Sequence, residues 1–163
     1  MQHHRTNNPY EAKFGYSRAV RKGPFIFVSG TTSIDPVSGE LRHPGSAYDQ
    51  ARAIFDEIAR AVVALGGRKG DIVRVRMFVA EEEDSAKVGE ALKDALGDVS
   101  PAATMIVGSR FVSSDMLVEV EADAVVLVRV FEIFLHGRWW SKDDTVIHTF
   151  PTLDSFSLLV QST

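Results

Sequence analysis

The stretch VEVEADAV, residues 118–125, constrains the fold more than any other part of the chain. Val118, Val120, Ala122 and Ala124 alternate with Glu119, Glu121 and Asp123, and a period of two puts the two sets on opposite faces of a β-strand. The apolar set has to be covered, while the three acids need water or a counter-ion. A sheet with two chemically different faces follows, and a layer of helices is the simplest cover for the apolar one.

The sequence supplies that layer. Ala51, Ile54, Phe55, Ile58, Val62 and Leu65 recur at helical spacing. Ser46 followed by Asp49 marks the start of this helix and Gly66-Gly67 its end. A second helix is expected from about Asp84, with Val88, Ala91, Leu92, Ala95 and Leu96 on its inner stripe and Gly97 closing it. Strands are expected at Tyr16–Val20 and Phe25–Ser29, joined by a Lys22-Gly23-Pro24 turn. In DIVRVRMFVA the alternation puts Val73, Val75, Met77 and Val79 on one face and Ile72, Arg74, Arg76 and Phe78 on the other. TMIVGSRF, from Thr104, and DMLVEVEADAVVLV, from Asp115, complete the set. The order β-β-α-β-α-β-β predicts an α+β domain, with two helices on one face of a mixed sheet of four to six strands. Its other face mixes Ile72, Phe78 and Leu117 with Arg74, Arg76, Glu119, Glu121 and Asp123, a pattern that suits a subunit interface with a polar rim.

Composition narrows the function classes. The 163 residues suffice for one domain with a real core. A net charge of −4 and no basic patch give no electrostatic basis for a nucleic-acid partner. Without cysteine there is no disulfide, thiolate metal site or catalytic thiol, which fits a reducing, cytoplasmic setting. The first residues lack an apolar core for a secretory signal, while organellar import stays open despite the scarcity of Arg and Lys and the presence of Glu11. No membrane span is expected: the longest apolar run, VVLVRVFEIFL, is eleven residues broken by Arg129 and Glu132, against about 20 for a bilayer. The five histidines are scattered without ligand spacing, GGRKGD lacks the phosphate-loop pattern, and no Ser–His–Asp motif occurs.

Seven segments in order carry a resemblance: YSRAV, FIFVSG, DPVSGEL, the helix end ALGG, DIVRVRMFV, PAAT and VEVEADAV. From about Gly15 to Val126 the chain resembles the RidA (YjgF) family of reactive-intermediate deaminases. The resemblance implies a chorismate-mutase-like sandwich assembled as a homotrimer, with a small-molecule cleft at each subunit boundary. It also implies hydrolysis of imines and enamines to a keto acid and ammonia, without metal or organic cofactor. Glu119 then corresponds to the glutamate that positions the hydrolytic water, and Tyr16 to the tyrosine that closes over the ligand. Ser29-Gly30 would offer a hydroxyl and a backbone N–H to a bound oxygen. Each position has a plainer reading as well: Glu119 as an ion-pair partner of Arg74 or Arg76, Tyr16 as packing, Gly30 as a strand end. Glu121 is read as the partner of a neighbouring arginine.

One departure matters. Typical members read Pro-Ala-Arg-Ser or Pro-Ala-Arg-Thr where this chain has Pro101-Ala102-Ala103-Thr104, and their arginine grips the substrate carboxylate. With Ala103 there, beside the single hydroxyl of Thr104, three options remain: another cation such as Arg76 or Arg110 takes over, the ligand has no carboxylate at that point, or the site is degenerate. The expected function is hydrolysis or tautomerisation of a small imine or enamine with atypical specificity, and the alternative is a non-catalytic metabolite-binding trimer. A ribonuclease activity attached to the family fits the acidic charge poorly. Residues 1–14 are read as an N-terminal extension, 15–127 as the domain and 128–163 as an atypical tail. That tail is either an extension over the trimer surface or a non-native stretch such as a read-through intron, and its abrupt change of character favours the second.

Overall fold

The computed structural model describes residues 1–127 together with two short strands, Arg138–Trp139 and His148–Thr149, which pair antiparallel in a unit of their own spanning Leu127–Thr163. The other expectations for the tail lie outside the described residues.

The unit Met1–Val126 runs β1 (Gln2–His4), α1 (Pro9–Phe14), β2 (Ala19–Lys22), β3 (Phe25–Thr31), α2 (Ala47–Ala64), β4 (Ile72–Val79), α3 (Ser85–Leu96), β5 (Ala102–Val107) and β6 (Val118–Val125). From β2 onward this is the order read from the sequence. The six strands lie in the order β1-β2-β3-β6-β4-β5. Only β4 and β5 pair in parallel, so the sheet is mixed. Strand β6 is central because its alternation is complete: Val118, Val120, Ala122 and Ala124 are buried and the residues between them are half-buried.

Helix α2 covers the apolar face. Ser46 caps it, its hydroxyl accepting from the Asp49 N–H, and Gly66 leaves it with φ 80°. Ile54, Phe55, Ile58 and Val62 are fully buried in one cluster with Ile26, Val75, Val79, Val118 and Val120 of the sheet and Val88 of α3. Such side chains contribute roughly 1.5–3 kcal/mol each on burial. Gln50, also fully buried, ties the helix to the chain leading into β6: its amide donates to the Asp115 carbonyl (2.7 Å) and its oxygen accepts from the Leu117 N–H (2.9 Å).

Three expectations are corrected. The first strand pair begins at Ala19, because Tyr16–Arg18 run in off the ladder, held by a Ser29 N–H to Arg18 carbonyl bond of 2.9 Å. The last strand begins at Val118, where the Gln50 bonds release the chain. In β4 a bulge between Ile72 and Arg74 adds a residue, so Ile72 turns inward and Val73 outward, the reverse of strict alternation. Val75, Met77 and Val79 point into the core as expected.

The outer face carries exposed Phe25, Phe27 and Val73 beside Arg76, which pairs with Glu121 (3.1 Å) and Asp123 (3.4 Å). Among the described residues no helix is long and apolar enough to cross a membrane.

Candidate functional site

A second bulge builds the site. Between Val28 and Thr31 the register of β3 against β6 shifts, so Val28 and Thr31 are both buried and Gly30 faces the opposite side. Glu119 of β6 points to that side too. Its carboxylate fills the space a side chain on residue 30 would need: a Cβ there would lie 1.9 Å from Glu119 Oε1 and 3.0 Å from Cδ. Only glycine lets the carboxylate sit on the strand in this way.

Around it lies a cavity of about 240 Å³. Tyr10 and Phe14 of α1 form one wall, and Tyr16, Arg18, Gly30 and Thr32 the floor. Arg110, Phe111, Val112 and Met116, from the connection between β5 and β6, complete the lining of this half-open cavity. Helix α1 is short but well specified. Asn8 caps it by accepting from the Tyr10 N–H, Pro9 opens it, and Gly15 ends it in the left-handed conformation, φ 74°. The first fourteen residues therefore supply both the outermost strand and a wall of the cavity.

Beneath the cavity is a buried ion pair. Arg18 and Glu11 are 3% and 4% exposed, and Arg18 Nε donates to Glu11 Oε1 at 3.1 Å. Arg18 Nη1 donates to the Gly30 carbonyl and to Thr31 Oγ1, both at 2.8 Å, and Nη2 reaches the Tyr16 hydroxyl at 3.3 Å. Glu11 also accepts from the N–H and hydroxyl of Thr6 at 2.8 and 2.7 Å. Burial pushes the Glu119 carboxyl above its ordinary range, Arg18 opposes that push, and Glu121 adds to it. The result is a carboxylate that takes up a proton more readily than a surface glutamate.

Of the residues singled out from sequence, Tyr16, Gly30, Arg110 and Glu119 share this cavity. Ser29 lies beside it with its hydroxyl donated to the Ser17 carbonyl (2.8 Å) and its N–H to Arg18. Ala103 and Thr104 sit on edge strand β5, opposite Val75 and Arg76, away from the cavity of their own chain. Arg76 is engaged on the outer sheet face and Glu121 is its partner. Arg18, Glu11, Tyr10 and Phe14 were not singled out. Among the described residues no cluster of three or more His, Asp or Glu is placed to hold a metal ion.

The model of the endoribonuclease L-PSP family matches residues 6–126, most of the chain. The chain belongs to that family, the YjgF/RidA family. A 2-iminobutanoate/2-iminopropanoate deaminase of Escherichia coli is 32% identical over 123 residues, covering 74% of this chain and 94% of that protein. The crystal structure of Rv2704, a YjgF/YER057c/UK114 family member from Mycobacterium tuberculosis, superposes with a TM-score of 0.68 at 31% identity, covering 77% of this chain and 98% of that one. That of Escherichia coli TdcF with bound serine gives 0.61 at 30% identity, covering 68% and 87%. The sandwich is the chorismate-mutase-like one of the YjgF/RidA family. The family match starts before α1 and stops at the end of the described domain, so it includes the Glu11–Arg18 pair and leaves the tail out.

Proposed function

We propose that this YjgF/RidA-family chain hydrolyses or tautomerises a small imine or enamine in the cavity around Glu119. The observation that carries the reading is the Glu119 carboxylate, seated on Gly30 and facing a half-open cavity beside Tyr16 and Arg18; burial raises its proton affinity. In hydrolysis of the protonated imine, Glu119 takes a proton from water as the oxygen bonds to the imine carbon and the C=N π electrons move onto nitrogen, giving a neutral carbinolamine. Glu119 then gives that proton to the nitrogen, the C–N bond breaks, and the carbinolamine hydroxyl loses its proton to the departing ammonia, so that ammonium and a carbonyl compound leave and Glu119 is again a carboxylate. Tyr16 covers the ligand, and Gly30 leaves room for the Glu119 carboxylate to sit against the strand. The relative named as an iminobutanoate and iminopropanoate deaminase supports this chemistry.

The working unit is a homotrimer. The exposed Phe25, Phe27 and Val73 of the outer sheet face, with Ile106 and Val107 on edge strand β5, form the apolar surface such an assembly covers. Across that boundary β5 brings Ala103 and Thr104 to the neighbouring cavity. Because alanine offers no grip, a substrate carboxylate falls to Arg110, which lines the cavity, is exposed, and makes no ion pair with the described residues. A substrate without a carboxylate needs no such grip. Ala103 also favours a second reading, a trimer that binds a metabolite without turnover.

The test is a panel of imines generated in place, carboxylated (2-iminobutanoate, 2-iminopropanoate) and neutral, followed by ammonia release and imine absorbance. Turnover of at least one imine is expected, with neutral or apolar members favoured over 2-iminopropanoate. No ammonia above the uncatalysed rate with any member, alongside calorimetric binding of small carboxylates or amides, would overturn the enzymatic reading and leave the binding one.

A further inference from the structure

The Glu11–Arg18 pair has no assigned role, and several features separate it from an ordinary structural ion pair. Both partners are almost fully buried, so each charge depends on the other. Arg18 spends its remaining hydrogen bonds on groups of the site: the carbonyl of Gly30, on which Glu119 rests, the neighbouring Thr31 hydroxyl, and the hydroxyl of Tyr16. Its guanidinium also lies 5.6 Å from the centre of the Tyr16 ring, and it lines the cavity that Glu119 faces. Glu11, in turn, belongs to α1, the helix that contributes Tyr10 and Phe14 to the cavity wall.

The geometry points to the buried Glu11–Arg18 pair as the positioning element of this site: Arg18 fixes Tyr16 and supplies the fixed positive charge beside Glu119, and Glu11 ties both to helix α1. The charged and titratable groups around Glu119 are few. Arg18 and Tyr16 face it from the segment before β2, Tyr10 from α1 and Arg110 from the β5–β6 connection, with Glu121 two residues along its own strand. Of the cations, Arg18 is the buried one, so its field on Glu119 is screened least by water. Burial favours the neutral acid, which cannot accept a proton from water. Arg18 favours the carboxylate, which can. Glu11 tempers that effect, since its negative charge is paired with the same guanidinium at 3.1 Å. Arg18 and Glu11 touch no reacting atom in this scheme and act through Glu119 and Tyr16.

This inference rests on Glu119 being the base of the proposed reaction, but its sign can be read without any turnover. Carboxyl-labelled glutamate NMR follows the titration of Glu119 in the full chain, its resonance assigned by loss in Glu119→Gln. In Arg18→Gln the titration should move to higher pH, because burial is no longer opposed. In Glu11→Gln it should move to lower pH, because the guanidinium charge is no longer offset. Arg18→Lys keeps the charge but not the fork that holds three partners. It should leave the titration near that of the wild type while lowering kcat, on whichever imine is turned over, by about tenfold or more. A purely structural pair predicts lost stability in all three and no opposed shifts. A Glu119 titration that stays put in folded Arg18→Gln, or moves the same way in both neutralising variants, overturns the inference. If Arg18→Gln does not fold, the absence of a downward shift in Glu11→Gln overturns it equally. Opposed shifts in a protein that turns over no imine would uphold the pair's action on Glu119 and sink the enzymatic reading instead.

Discussion

Replacing Gly30 with alanine separates the placement of Glu119 from the stability of the fold. The new Cβ would stand 1.9 Å from Glu119 Oε1, whereas non-bonded atoms rest about 3.5 Å apart. The carboxylate must therefore retreat by about 1.5 Å. Gly30 is not among the residues with positive φ, so alanine meets no left-handed backbone penalty, and the group that has to move is the end of a flexible side chain. An off-rotamer adjustment of this kind costs about 0.5–1.5 kcal/mol, a few degrees of melting temperature at most. Catalysis is less forgiving. A displacement of about 1 Å can cost roughly a hundredfold in rate, equivalent to about 2.7 kcal/mol of transition-state stabilisation. The assay pairs ammonia release with thermal unfolding for both proteins. The expected outcome is kcat/KM down about a hundredfold with the melting temperature within a few degrees of wild type. A folded Gly30→Ala variant that keeps kcat/KM within about threefold would refute the idea that this contact sets the position of the base.

Three further outcomes are expected. Gln50→Leu keeps size but leaves the Leu117 N–H and the Asp115 carbonyl without their partner; it should cost about 2–4 kcal/mol in urea unfolding, and a loss under about 1 kcal/mol would mean that water replaces both bonds. Ala103→Arg should raise kcat/KM on carboxylated imines about tenfold or more and leave neutral imines unchanged, whereas no gain would place Ala103 away from the bound carboxylate. Light scattering should give about three times the 17.9 kDa chain mass, and a monomer at micromolar concentration would remove β5 of one subunit from the cavity of the next.

The parts of this fold that were legible in the sequence are those where one periodicity runs unbroken. The stripe of α2, from Ala51 to Leu65, and the alternation of β6 both reappear as burial, because each residue there has a single solution that hides it. The two bulges escaped for the same physical reason. An extra residue at Val73, and another at Ser29-Gly30, break the period of two without any side-chain signature, since the register is set by the partner strand. Helix α1 had its signals in Asn8, Pro9 and Gly15, but six residues are too short for an apolar stripe. Arg18 lies within YSRAV, inside the strand expected at Tyr16–Val20, where a single basic residue carries no signal of burial. Only the return of Glu11 across the Gly15 turn makes its burial tolerable, and that contact is tertiary. A run in which Ser17, Arg18 and Ala19 are all buried has no counterpart in any amphipathic pattern. The cavity, likewise, draws on four separate stretches of chain, so its membership could be read only one position at a time.

The central claim is that Glu119 is the base of an imine-hydrolysing site, and the pH dependence of kcat/KM for wild type and Glu119→Gln tests it most directly. Burial raises the Glu119 carboxyl, so wild-type activity should rise with pH along a limb lying above the ordinary glutamate range. The same raised affinity means that the folded state holds its proton longer than the unfolded chain does. The contribution to stability is therefore fully present below the unfolded pKa and fades as pH climbs through the folded one. Glu119→Gln should lower kcat/KM by about a hundredfold or more and abolish the limb, with a melting temperature at least equal to wild type at neutral pH. A variant that keeps wild-type turnover and the same limb would contradict the account.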